Sequence, residues 1–167
     1  MLQCQPVYTP FASGTKLVAN TDPDSESSFT SRYQQVVGSL MYAMLGSRPD
    51  ICFHVNRLSQ YGSKPTQTHL FAAQHVLRYL ATTRDYKLTY GTDDSTELIG
   101  YSDSDWAADT DDRRSTSGYL YILSGGSVAW ATQKQRTVSL SSTEAEYMFW
   151  NPLKLLVFGM YMQSPRA

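Results

Sequence analysis

The residue types able to carry metal or acid–base chemistry are sparse in this chain of 167 residues. His54, His69 and His75 are spaced neither at i, i+4 nor in a zinc pattern. No cysteine pair accompanies them, so they read as packing or helix-surface side chains. Cys4 and Cys52 are far apart and unpatterned, which fits a reducing compartment and no disulfide framework. Ser141, Ser142 and Thr143 lack a neighbouring base. With Glu144 they form a capping box, in which a serine oxygen accepts from the amide three residues on and the glutamate reaches back. Arg113, Arg114, Lys134 and Arg136 are either a solvated basic loop or contacts for nucleic-acid phosphates. Trp106 and Trp130 read as core rather than as stacking platforms.

Composition bounds what these residues can serve. Hydrophobic residues make up 41% and charged residues 17%, as in a folded protein. The net charge of −1 and pI near 6.3 show no basic excess, which leaves room only for a local basic groove. No secretory signal pattern opens the chain, and no apolar run is long enough to span a bilayer. The expectation is a soluble intracellular protein, cytoplasmic or nuclear, with no membrane partner.

The elements that must position these groups follow from spacing. Pro6, Pro10, Gly14 and Pro23 punctuate residues 1–30, an irregular leader. Tyr33, Val36, Val37, Leu40, Met41 and Met44 recur at helical spacing from Ser31 to Leu45, with Gly46 as a stop. Pro49 suits the first position of a second helix carrying Ile51, Val55 and Leu58. A third helix follows Pro65, with Leu70, Ala73, Val76, Leu77 and Leu80 on one face. Asp85 to Tyr90 reads as a short strand. Leu98 to Asp103, Ser117 to Leu123 and Val128 to Thr132 read as strands, the last two joined by a glycine-bearing turn at 124–127. A helix opens at Ser141.

Several sequence words now stand in a fixed order. Tyr33-Gln-Gln-Val-Val-Gly38-Ser-Leu-Met-Tyr42 is followed by Arg48-Pro-Asp50-Ile, Pro65 with His69, and Val76-Leu-Arg78-Tyr79-Leu. Then come Gly100-Tyr101-Ser102-Asp103-Ser104-Asp105-Trp106-Ala107, Asp112-Arg-Arg-Ser115-Thr-Ser117-Gly118-Tyr119 and Ser141-Ser-Thr-Glu144-Ala145-Glu146-Tyr147. Over residues 6–148 this series resembles the Pol polyprotein of copia-type retrotransposons, from the end of the reverse transcriptase into a ribonuclease H domain.

The resemblance implies an α+β chain: an irregular leader (1–30), a helical reverse-transcriptase connection segment (31–92), a partial ribonuclease H-like domain (93–150) and a divergent tail (151–167). The ribonuclease H-like part is a truncated mixed sheet with a flanking helix. Ribonuclease H cleaves the RNA strand of an RNA–DNA hybrid with carboxylates that hold Mg²⁺. Hard oxygen ligands suit that ion, and two ions about 4 Å apart activate water and stabilise the leaving oxygen. Asp103 matches the first ligand and Glu146 the second. Asp105 belongs to the turn beside Trp106. Arg113, Arg114, Lys134 and Arg136 become candidate contacts to hybrid phosphates, and the remainder of Pol becomes an implied partner.

The pattern also departs from the family. Residues 147–167 contain no Asp or Glu, so the later carboxylates are missing. Asp93-Asp94 and Asp111-Asp112 do not follow a tyrosine in the Tyr-x-Asp-Asp spacing of a polymerase palm, whose motifs are expected upstream. The expectation is a Pol fragment with RNA-directed DNA synthesis and hybrid cleavage as its parent activities, inactive as an isolated chain and binding Mg²⁺ weakly if at all. Its alternatives are a non-catalytic nucleic-acid-binding or protein-interaction remnant and a decayed insertion without selected function.

Overall fold

The computed structural model of this chain describes residues 5–20, 27–91, 97–105 and 114–135. Tyr33, Val37, Leu40 and Met44, stepped by three and four residues, form the buried stripe of α1 (Ser27–Gly46). The helix begins one turn before the expected Ser31, because Phe29 extends the stripe backward and packs on the core.

Pro49 opens a 3₁₀ turn (Pro49–Ile51) rather than the helix itself, which follows as α2 (Cys52–Ser59). Helix α3 (Gln67–Thr82) starts at Thr66, whose hydroxyl accepts from the His69 amide. His69 Nδ1 accepts from the Thr66 amide at 2.9 Å, so a histidine takes the glutamate's part in a capping box. Ile51, Val55 and Leu58 meet Leu70, Ala73 and Val76 in one core with the α1 stripe. Each of these Ile, Val and Leu side chains contributes roughly 1.5–3 kcal/mol by leaving water. Tyr33, wholly buried, donates its hydroxyl to the Leu58 carbonyl at 2.8 Å, and burial, with Tyr61 nearby, raises its pKa well above the ordinary phenol value.

The leader is irregular over 5–20 and is strapped to the helices. Val7 N–H donates to Thr82 Oγ1, His75 Nε2 to the Thr9 carbonyl, and Tyr61 OH to the Leu17 carbonyl at 3.0 Å. The strand expected at Asp85–Tyr90 is absent: that stretch has no regular ladder. It is held at single points instead, by Tyr90 OH on the Ser127 carbonyl and Gly91 N–H on the Ser124 carbonyl.

Strands β1 (Ile99–Asp105), β2 (Thr116–Leu123) and β3 (Gly126–Lys134) form an antiparallel sheet in the order β1-β2-β3. The turn between β2 and β3 is only Ser124-Gly125, with φ of 50° and 77°. Two positive φ values match the twist of a two-residue hairpin, and the serine accepts the strain that glycine avoids. The described strands are antiparallel throughout. The expected mixed-sheet continuation and the helix from Ser141 fall in 136–167, outside the described residues.

The chain divides into two compact units, Met1–Gly100 with Leu120–Ala131, and Tyr101–Tyr119 with Thr132–Ala167. In the first, Trp130 packs against the helical core and donates its indole N–H to the Met44 carbonyl at the end of α1, at 3.0 Å. This is the core role expected for Trp130; Trp106 lies outside the described residues.

Candidate functional site

Asp103 lies near the end of β1, and its residue is exposed. Gly100, earlier on β1, lies under the Tyr121 ring, where a Cβ would come within 2.6 Å of Cε1. A glycine is therefore needed for this ring to lie across the strand. Arg114 is exposed just before β2, and Lys134, half-buried, ends β3. The open end of the hairpin is fastened by Gln135, whose N–H donates to the Ser115 carbonyl and whose Nε2 donates to Ser117 Oγ, both at 2.8 Å. Ser115 and Ser117 are buried.

Antiparallel order puts the end of β1, the start of β2 and the end of β3 at one end of the sheet. Asp103, Arg114 and Lys134 therefore share that end. Glu146, Arg113 and Arg136 lie outside the described residues. Among the described residues no group of three or more His, Cys, Asp or Glu side chains is placed to hold a metal ion. Asp103 by itself does not fit Mg²⁺, which needs several oxygen ligands.

The histidines have structural partners. His54 meets the Phe11 ring edge-on at 4.6 Å, and burial pushes its pKa below 6.5 against the opposing pull of Asp50. His69 stacks on Tyr61 at 4.1 Å and caps α3.

A heavily bonded polar cluster forms around Arg48, to which the sequence reading assigned no role. Arg48, 8% exposed, directs Nε and Nη2 at the Asp50 carboxylate, at 2.9 and 2.7 Å. The same guanidinium donates to the Thr83 carbonyl and, at 2.6 Å, to Thr83 Oγ1. Tyr79 OH donates to Asp50 Oδ2 at 2.8 Å, and the guanidinium lies 5.4 Å from the Tyr79 ring centroid. Burial raises the Asp50 carboxyl, but the hydrogen bonds from Arg48 and Tyr79 and the Arg48 charge outweigh it and hold it below its ordinary 3.8. The cluster ties the α1–α2 junction to the end of α3. Its signal was an Arg and an Asp flanking Pro49 between two apolar helices, where an unpaired charge would be costly.

The clamp thus joins Arg48-Pro-Asp50-Ile to the Arg78-Tyr79-Leu80 word, and the sheet carries the Gly100 to Asp103 word. Comparison with known proteins agrees with these words. A retrovirus-related Pol polyprotein from transposon RE2 of Arabidopsis thaliana is 44% identical over 150 residues, 88% of this chain and 10% of that one. The corresponding polyprotein from transposon TNT 1-94 of Nicotiana tabacum is 41% identical over 152 residues, 89% of this chain and 11% of that one.

The chain belongs to the copia-type retrotransposon Pol family.

It spans about a tenth of the length of these Pol polyproteins. Secreted RxLR effector protein 161 of Plasmopara viticola is also similar, 53% identical over 116 residues, which are 70% of this chain and 82% of that protein. No family model and no solved structure matches the chain. In this Pol chain no described helix is long and apolar enough to cross a membrane.

Proposed function

We propose that this chain is the segment of Pol joining the reverse transcriptase to a ribonuclease H-like domain, and that as it stands it contacts RNA–DNA hybrids without cleaving them. The observation that carries this reading is the shared sheet end of Asp103, Arg114 and Lys134. Two cations outweigh the one carboxylate there, which leaves a net positive end that suits a phosphate backbone. With Arg113 and Arg136 beside them in sequence, the cations supply the contacts. Asp103 and Glu146 are the two carboxylates of the family pattern that the chain contains, and residues 147–167 contribute no further Asp or Glu. Mg²⁺ binding is accordingly weak.

Hybrid binding measured over a range of salt concentrations tests the contact surface. Arg114→Gln and Lys134→Gln each flatten the log–log salt slope by up to about 0.9 for a contact removed. Unchanged slopes in both variants contradict the assignment.

A second reading, a non-catalytic interaction module, is favoured by the likeness to effector protein 161, most of whose length this chain covers. Co-purification of a protein partner by a chain that binds no hybrid separates it from the first.

A further inference from the structure

A groove of about 440 Å³ lies between the leader strap and the outer side of α3, away in sequence from every residue assigned to hybrid contact. Its walls include Phe11, Lys16, Phe71, Gln74, His75 and Arg78. No Asp or Glu lines it. Among the described residues Arg48 pairs with Asp50, and neither Lys16 nor Arg78 has a carboxylate partner.

The fixed parts of the groove are specific. Arg78 gives Nη2 to the Gln5 carbonyl at 3.2 Å, while its Nε is buried without a hydrogen-bond partner. The strap therefore holds the guanidinium in place without neutralising it. His75 is fixed by the Thr9 carbonyl at 3.0 Å. Phe71, by contrast, is 60% exposed on a helix whose other aromatic, Tyr79, is buried. Phe71 therefore offers an open ring face beside two cations that have no carboxylate partner, a combination suited to a flat anionic ligand.

We propose that this groove binds a nucleotide unit, with its phosphate on Lys16 and Arg78 and its base against Phe71. The volume falls in the range of small-ligand sites. Aromatic stacking combined with cationic contacts is the chemistry by which proteins hold unpaired bases and their phosphates. The unit is either a free nucleotide or one residue of a single strand. The site is independent of the sheet-end surface.

Anisotropy of a short fluorescein-labelled oligothymidylate on the full chain, at several salt concentrations, tests this. Lys16→Gln weakens binding several-fold and flattens the salt slope by about 0.7, one single-strand phosphate contact. Phe71→Ser weakens binding by about tenfold and leaves the slope unchanged, as loss of stacking requires. Both positions are exposed, so the fold survives these variants even where Arg78→Gln loosens the strap. Displacement of the strand by AMP assigns the site to a single nucleotide. Resistance to AMP with the same dependence on Lys16 and Phe71 assigns it to a strand. No oligothymidylate binding, affinities unchanged in both variants, or equal displacement by an oligoglutamate peptide overturns the proposal. Hybrid binding that responds to Arg114→Gln, together with oligothymidylate binding indifferent to Lys16→Gln and Phe71→Ser, would leave the sheet-end reading intact while this one fails.

Discussion

The Tyr79 hydroxyl donates to Asp50 Oδ2 at 2.8 Å, joining two sequence words that lie 29 residues apart. Asp50 is thereby shared between Arg48 on its own segment and a tyrosine on α3. Removing either donor leaves a partly buried carboxylate short of a partner. Tyr79→Phe lowers unfolding free energy by about 1 kcal/mol, the net value of one such bond. Asp50→Asn, which also strands the buried guanidinium, costs about 2–4 kcal/mol. A double-mutant cycle by urea unfolding gives a coupling of about 0.5–1.5 kcal/mol; additive effects contradict the shared bond.

The same cluster sets an acid limb. Asp50 titrates below 3.8 in the folded chain, so an unfolded chain takes up its proton first as pH falls. The stability this group contributes is present above about pH 4 and is lost as pH falls through the folded value. Melting midpoints of the parent chain fall across that window, and Asp50→Asn shows a shallower fall.

His54 produces a second limb at higher pH. Burial holds its folded pKa below 6.5, so the unfolded state binds the proton more readily. Its contribution is complete above about pH 6.5 and declines as pH falls toward the folded value. Thermal melts between pH 7.5 and 5, as a rough range, show a decline in the parent that is smaller in His54→Leu; equal declines contradict the assignment.

Two glycines are set by close approach. A Cβ at Gly100 would press on the Tyr121 ring at 2.6 Å, and one at Gly126 would meet the Thr89 carbonyl oxygen at 2.7 Å. Gly126→Ala must displace backbone and costs about 2–3 kcal/mol, whereas Gly100→Ala costs about 1–2 because a ring can swing. Denaturant midpoints that place Gly100→Ala below Gly126→Ala contradict this ordering.

Much of the helical half was legible because its apolar spacing is regular: Tyr33 to Met44 and Leu70 to Val76 read directly as buried stripes. Phe29 was missed, since a single aromatic one turn before a polar stretch gives no period of its own. Asp85–Tyr90 misled because Tyr, Leu and Tyr alternate as in a strand, yet the stretch is held at isolated points rather than by a ladder. The hairpin was visible in its glycines, though the structure assigns the turn to Ser124-Gly125 alone. The sheet-end grouping of Asp103, Arg114 and Lys134 needed strand order, which no local pattern supplies. The Arg48 cluster was hidden because its partners Tyr79 and Thr83 lie far along the chain and neither belongs to the apolar face read from spacing on α3.

We propose a Pol segment that contacts hybrids and does not cut them. Incubation of the chain with an end-labelled RNA–DNA hybrid in Mg²⁺, and separately in Mn²⁺, tests it most directly. Intact RNA is expected even with the protein in excess, indistinguishable from the Asp103→Asn chain. Robust cleavage by the parent chain that Asp103→Asn abolishes would contradict it.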